Sequence, residues 1–213
     1  MLFPKLYAIL DVDLIAVRGL DADAVFDAWL DAGVRLIQLR AKSLPSGAFL
    51  DLATRLAARA RASSATFIVN DRADLARLAG AGGVHVGQDD LSPADVRRVV
   101  GADAVVGLST HTADQLRAAL DEPVDYVAVG AVFATSMMPA GHPTVGLDFV
   151  RAAAVATASR GLPFVAIGGI RLDTALAVLE AGASAVAVIS DLLVGDPRER
   201  ARSYLKVVGE LTL

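Results

Sequence analysis

Short apolar runs rich in β-branched residues alternate along this chain with longer stretches whose apolar residues recur at helical spacing. Leu6 to Leu10, Leu36 to Leu39, Thr66 to Val69, Val84 to Val86, Val105 to Leu108, Tyr126 to Val129, Phe164 to Ile167 and Ala185 to Ile189 have the length and composition of buried strands. Helices are predicted between them. They cover Ala22 to Ala32, closed by Gly33, Ser46 to about Ala62, Ala73 to Ala79, and Pro93 to near Val100 behind the N-cap Ser92. Four more follow: one opened by the Thr112/Gln115 capping box, then Leu147 to about Ala158, Leu172 to Ala181, and about Asp196 to about Leu211.

Eight strand and helix units in strict alternation predict an α/β fold, a (β/α)8 TIM barrel forming a single domain. An open doubly wound sheet is the alternative, but no dinucleotide glycine fingerprint follows the first strand. Loops entering strands are plain, as at Ala32-Gly33 and Ala181-Gly182, whereas loops leaving strands hold most of the reactive side chains. Barrel enzymes carry their sites on that face.

The central unit, Thr66 to Asp90, shows the chemistry most plainly. Its two strands end in Asn70-Asp71-Arg72 and Gln88-Asp89-Asp90, and parallel neighbours place those ends side by side. Asp71 and one of Asp89 or Asp90 then come within reach of a shared ligand, and paired carboxylates suit a hard cation. Each Asp could equally cap the helix that follows it. At the end of the second strand Gln38, Arg40 and Lys42 share one side of an extended chain, which makes an anion site. Mg²⁺ takes one or two carboxylates together with phosphate oxygens and waters, so the two features fit a metal-bound diphosphate. Gly168, Gly169 and Ile170, with Ile189 and Ser190, stand after strands seven and eight, where barrels bind phosphate. His111 follows strand five, where it reads either as a residue that moves protons or as a hydrogen-bonded loop histidine, while His85 and Trp29 read as packing residues. The longest loop runs from Gly130 to Gly146.

At 213 residues and 54% hydrophobic the chain can bury one large core. No apolar run approaches the roughly 18 to 20 residues of a membrane span, so no membrane partner is expected. No export signal is visible at the start, and the absence of Cys removes disulfides and thiolate chemistry and fits a cytoplasmic protein. A net charge of -4 with dispersed Lys and Arg argues against nucleic acid, leaving small-molecule chemistry. A homo-oligomer is compatible with these features.

The segments Gln38-Leu39-Arg40-Ala41-Lys42, Asn70 to Leu75, Gly83 to Leu91, Gly107 to His111, Ala166 to Ile170 and Val186 to Ser190 together resemble the motif set of the thiamine-phosphate synthase family. The resemblance runs the whole chain in order. It implies a barrel transferase that joins hydroxymethylpyrimidine diphosphate to thiazole phosphate and releases diphosphate with Mg²⁺. By position it implies Mg²⁺ ligation by Asp71 and Asp90, the latter because the family pattern is Gly-Gln-x-Asp. It implies that Arg40, Lys42 and Asn70 hold the pyrimidine diphosphate, with Gln38 and Ser109 beside the pyrimidine, and Arg40, Lys42 and Ser109 as the catalytic set. Thr135, Gly169, Ile189 and Ser190 are implied to hold the thiazole phosphate.

One departure falls in the long loop. Family members usually carry Gly-Pro and then Thr-x-Thr-Lys, where this chain has Gly130-Ala131 and Thr135-Ser136-Met137-Met138. The family Lys contacts diphosphate, and a charged hydrogen bond is worth on the order of 1.5 to 3 kcal/mol. His142 is the nearby residue that could replace it when protonated. Two rival functions follow: a thiazole tautomerase using His111, and a non-catalytic binder of thiazole phosphate or thiamine phosphate. Retention of Arg40, Lys42, Asn70, Asp71 and Asp90 favours the synthase, because an isomerase has no diphosphate to hold.

Overall fold

A computed structural model describes residues 3–135 and 143–210. Eight parallel strands close into a barrel in sequence order. They are β1 (Leu6–Asp11), β2 (Leu36–Arg40), β3 (Thr66–Asn70), β4 (Gly83–Val86), β5 (Val105–Thr110), β6 (Tyr126–Val129), β7 (Phe164–Ile167) and β8 (Ala185–Val188). Closure is made by β1 against β8, with Leu6 opposite Val186 and Ala8 opposite Val188. The TIM barrel expected from the alternation is the fold observed.

Nine helices among the described residues surround the barrel: α1 (Val12–Val17), α2 (Ala22–Ala32), α3 (Ser46–Ala62), α4 (Ala73–Ala79), α5 (Pro93–Val100), α6 (Ala113–Ala119), α7 (Gly146–Ala158), α8 (Ala175–Glu180) and α9 (Pro197–Val207). Several starts follow the predicted caps. Ser92 Oγ accepts from the Asp95 amide at 3.2 Å, and Thr112 Oγ1 accepts from the Gln115 amide at 3.2 Å. Gln115 closes its box one residue early, its Oε1 accepting from the His111 amide at 2.8 Å. Three elements differ from the pattern. The loop expected after β1 holds α1, whose N-cap is Asp11, accepting from the Leu14 amide at 2.9 Å. The helix expected from Leu172 begins at Ala175; residues 172–174 form a turn instead, with the Thr174 amide donating to the Arg171 carbonyl at 3.0 Å and the Leu172 amide to the Asp191 carboxylate at 3.1 Å. The last helix ends at Val207 rather than near Leu211, which lies outside the described residues.

Strand alternation sorts the apolar residues into two cores. Leu6, Ala8, Leu10, Ile37, Leu39, Phe67, Val69, Val84 and Val86 face the helices, and Trp29 is buried with them as expected. Tyr7, Ile9, Leu36, Ile68, Tyr126, Ala128, Val165, Ala185 and Ala187 fill the barrel interior. Following the inward parity along each strand leads from this inner core to Gln38 and Arg40 on β2, Asn70 on β3, His85 on β4 and Ser109 on β5. The packed interior is therefore the floor of whatever binds at the strand ends.

Candidate active site

A cavity of about 800 Å³ opens over the C-terminal ends of the strands. Its lining includes Gln38, Arg40, Lys42, Asn70, Asp71, Asp90 and Ser109 on one side and Thr135, Gly169, Ile189 and Ser190 on the other. Every site residue expected from the sequence is thus brought to one cavity. Met137, Met138 and His142 lie outside the described residues.

Two carboxylates, Asp11 at the end of β1 and Asp13 in the first turn of α1, organise the cationic strand end. Asp11, only 1% exposed, forms an ion pair with Arg40 across the β1/β2 ladder while its other oxygen caps α1. Asp13 accepts from the Lys42 amide at 3.1 Å and from the Ser43 hydroxyl. Arg40 and Lys42 are therefore held toward the cavity. Neither Asp11 nor Asp13 stood out in the sequence, where they read as part of a polar loop.

Lys42 Nζ stands 3.4 Å from Asp71 Oδ2. Asp71 does not cap α4, whose N-cap is Arg72 with no side-chain cap; the Asp71 carboxyl instead lies within the electrostatic reach of Asp90. Burial raises the Asp71 carboxyl above its ordinary range, the negative charge of Asp90 adds to the rise, and Lys42 opposes it. The backbone of Asp71 is left-handed, with φ 63°, and its amide donates to the His85 carbonyl at 2.8 Å. Asp90 in turn accepts from the Gly87 amide at 2.8 Å, and Ser92, not Asp90, caps α5. Two neighbouring carboxylates with the Lys42 ammonium beside one of them form a site suited to a cation. Among the described residues no group of three or more His, Cys, Asp or Glu side chains converges, so a cation here must complete its shell from water or a ligand.

On the opposite side, glycines let two loops meet. Gly168 has φ 98° and Gly169 φ 66°; a Cβ on Gly169 would lie 2.6 Å from the Ala134 oxygen and 2.7 Å from the Phe133 oxygen. The Val132 amide donates to Ile167 O at 2.9 Å and the Phe133 amide to Gly168 O at 3.0 Å, docking the segment that carries Thr135 onto this turn. Asp191 locks the next loop. It accepts from the Leu172 amide, from Arg200 at 2.7 Å and from the Tyr204 hydroxyl, which fixes the 3₁₀ turn Ser190–Leu193 against the loop after β7 and against α9.

The cavity floor holds a hydrogen-bonded chain that strand composition concealed. Gln38 Nε2 donates to the Tyr7 hydroxyl at 2.8 Å; the Tyr7 and Tyr126 hydroxyls are 2.9 Å apart; Tyr126 and His85 Nδ1 are 2.8 Å apart; His85 Nε2 is 2.8 Å from Ser109 Oγ. His85 is buried as expected, yet it is more than packing: both ring nitrogens are engaged. Burial lowers its pKa from 6.5 to about 4, so the ring is neutral at pH 7. His111 sits at the rim with Nδ1 2.8 Å from the Gly130 carbonyl.

These features define a (β/α)8 barrel enzyme with its site on the C-terminal face, a carboxylate pair and cationic strand end facing a glycine-lined loop pair. The family model for thiamine monophosphate synthase matches residues 6–192. The chain belongs to that family. It is 45% identical over 207 residues to a thiamine-phosphate synthase of Koribacter versatilis, covering 96% of each chain. A thiamine-phosphate synthase of Thermus thermophilus is 44% identical over 177 residues, covering 83% of this chain and 84% of the relative. The solved structure of a thiamine phosphate pyrophosphorylase from Pyrococcus furiosus superposes with a TM-score of 0.85 at 28% identity, covering 97% and 96% of the two chains. Among the described residues no helix is long and apolar enough to cross a membrane.

Proposed function

We propose that the chain condenses hydroxymethylpyrimidine diphosphate with hydroxyethylthiazole phosphate, giving thiamine phosphate and diphosphate with Mg²⁺. The observation that carries this reading is the juxtaposition of Lys42, Asp71 and Asp90, with Arg40 beside them, in the cavity that also contains the glycine turn after β7.

In the reaction the C–O bond between the pyrimidine methylene and the diphosphate breaks, the electron pair leaving with diphosphate. The thiazole nitrogen lone pair then forms the new C–N bond. Arg40, Lys42 and Asn70 bind the departing diphosphate and stabilise the charge it gains. Asp71 and Asp90 fit Mg²⁺, which supplies neutralisation of that charge when bound. Their like-charged contact is the arrangement a cation relieves. Thr135, Gly169, Ile189 and Ser190 hold the thiazole phosphate so that its nitrogen faces the reacting carbon, and alignment replaces a protein nucleophile. Gln38 and Ser109 meet the pyrimidine ring. An isomerase would have no use for the diphosphate side, and the retention of Arg40, Lys42, Asn70, Asp71 and Asp90 in one cavity supports the synthase reading.

The test is formation of thiamine phosphate from the two purified substrates, with Mg²⁺ and with a chelator. Turnover that stops on chelation is expected. Absence of turnover while thiazole phosphate still binds would overturn the synthase reading in favour of a binder.

A further inference from the structure

The barrel order sets β1 between β8 and β2, so the loop after β1 rises between the two halves of the cavity. Helix α1 fills that loop, and its two ends carry opposite charge and bond in opposite directions. At the N-terminal end Asp11 pairs with Arg40 and Asp13 accepts from the Lys42 amide, both on the β2 side. At the C-terminal end Arg18, the C-cap residue, donates from Nη1 to the Leu193 carbonyl at 2.8 Å. Leu193 closes the 3₁₀ turn that Ser190 opens, so this contact lies on the β8 side.

Four Lys and Arg side chains line the cavity: Arg18, Arg40, Lys42 and Arg171. Arg40 is paired with Asp11, Lys42 Nζ stands 3.4 Å from Asp71, and Arg171 Nε stands 3.4 Å from Asp173. Arg18 differs. Among the described residues it has no carboxylate partner, and its hydrogen bond goes to a neutral carbonyl. A guanidinium has five N–H donors, so most remain for a ligand. Arg18 is exposed, and hydration keeps its unpaired charge from opposing folding. The residues proposed to hold the thiazole phosphate, Thr135, Gly169, Ile189 and Ser190, are all neutral. The carboxylate next to them, Asp191, is answered by Arg200 at 2.7 Å. A phosphate in this half therefore lacks the cations that Arg40 and Lys42 give the diphosphate.

We infer that Arg18 is a further binding residue of the cavity, supplying positive charge to the phosphate of the thiazole substrate beside the Ser190–Leu193 turn. The inference rests on the synthase reading and assigns Arg18 to one half of it. The tie to Leu193 holds the guanidinium at the turn through Nη1, while Nε and Nη2 keep the adjacent pair of donors that suits two phosphate oxygens. Helix α1 then sorts the charges of the site: its acidic end holds the cations for one substrate, and its basic end meets the other.

The experiment compares wild type with Arg18→Gln and Arg18→Lys, each shown to be folded by circular dichroism. It measures KM for thiazole phosphate, the inhibition constant of the dephosphorylated thiazole alcohol, and the calorimetric affinity for pyrimidine diphosphate with Mg²⁺. Arg18→Gln keeps an N–H donor and loses the charge, so KM for thiazole phosphate should rise roughly tenfold or more, the scale of a lost charged hydrogen bond. Arg18→Lys keeps the charge and should stay within about threefold of wild type. In Arg18→Gln the constants for the alcohol and for pyrimidine diphosphate should each change by less than about threefold, because neither ligand brings a phosphate to this half. The rise of KM with salt expected for wild type should flatten in Arg18→Gln, since the charge that salt screens is gone. An unchanged KM for thiazole phosphate in folded Arg18→Gln overturns the inference. So does a rise matched by the alcohol, which would mean that Arg18 only supports the turn, or one matched by pyrimidine diphosphate, which would put Arg18 in the other half. A wild type that forms no thiamine phosphate would be a different result, overturning the synthase reading and this inference with it.

Discussion

Asp11 at the end of β1 is ion-paired with Arg40 at the end of β2, and the carboxylate is buried while the Arg40 side chain is 26% exposed to the cavity. The pair fixes which guanidinium donors face a ligand, since Arg40 keeps several donors beyond those that meet Asp11. Asp11→Asn keeps an oxygen to cap α1 but leaves Arg40 without its counter-charge. Stability should fall by about 2 kcal/mol, within the range for losing a charged hydrogen bond. A bound diphosphate restores a counter-charge, so inorganic diphosphate with Mg²⁺ should raise the melting temperature of Asp11→Asn more than that of wild type. Equal shifts in the two proteins would show that Arg40 does not meet the diphosphate.

Asp71 combines a left-handed backbone with a carboxyl raised by burial and by Asp90, and both features oppose folding. Asn tolerates the same backbone conformation and removes the charge. Asp71→Asn should therefore be as stable as wild type or up to about 1 kcal/mol more stable, because the contact with Asp90 loses its repulsion. Its Mg²⁺-dependent turnover should drop roughly a hundredfold, the scale of a lost charged contact. Denaturant melts and a Mg²⁺ titration of turnover check both halves. Undiminished turnover at the wild-type Mg²⁺ requirement would remove Asp71 from the metal site.

Much of this site was legible because strand parity and parallel neighbours are local rules. Alternation along β2 put Gln38 and Arg40 on one side, and adjacency of β3 and β4 brought Asp71 to the carboxylates after Gly87. What stayed hidden depends on contacts across the barrel. The six residues of α1 are too few to show a helical period, so Asp11 and Asp13 read as loop polarity. Tyr7 and Tyr126 sit in apolar runs and are 119 residues apart in sequence, so nothing local marks their hydroxyls as partners. His85 could be placed inside a strand, but not joined to Ser109, until the barrel closed. Asp191 likewise reads as a loop residue, and only the approach of α9 shows it anchoring the turn beside Ser190.

The Met138 position makes its own prediction, since the family pattern that the chain resembles usually has a Lys there and this chain has Met. Met138→Lys adds a cation to the loop after β6, and kcat/KM for the pyrimidine diphosphate should rise about tenfold or more if that ammonium reaches the diphosphate. Steady-state kinetics at low and high salt measure it. No rise would mean that Arg40 and Lys42 already meet the electrostatic need.

His85 gives stability a dependence on pH whose sign follows from its depressed pKa. The unfolded chain binds a proton at this side chain below about pH 6.5, whereas the folded protein does not until about pH 4. Between those values the unfolded state holds more protons, so the free energy of unfolding falls as pH falls, by about 3 kcal/mol in all from this group. Replacing His85 by Gln removes that contribution while leaving the carboxylates. The stability difference between wild type and His85→Gln, read from denaturant melts at pH 7 and pH 4.5, should shift toward the variant at the lower pH. Parallel pH profiles would show that His85 does not resist protonation.

Gly169 separates two costs that a side chain would bring to the turn after β7. Its φ of 66° is unfavourable for any residue with a Cβ, by roughly 1 to 2 kcal/mol. Its Cβ would also press on the Phe133 and Ala134 carbonyl oxygens, which are backbone and can move only by shifting the segment that leads to Thr135. Gly161 has nearly the same φ, 61°, with nothing within 4 Å of its Cβ position, so Gly161→Ala reports the backbone cost alone. Gly169→Ala should be the more destabilised of the two, by about a further 1 to 3 kcal/mol, the usual cost of overpacking. On the proposed reading the displaced segment belongs to the thiazole phosphate side, so KM for thiazole phosphate should rise about tenfold in Gly169→Ala, whereas the affinity for pyrimidine diphosphate alone should change by less than about threefold. Gly161→Ala should move neither. If both affinities fall together in Gly169→Ala, the turn supports the whole cavity rather than one half of it, and the division of the site between the β2–β5 strand ends and the loops after β6 to β8 is wrong.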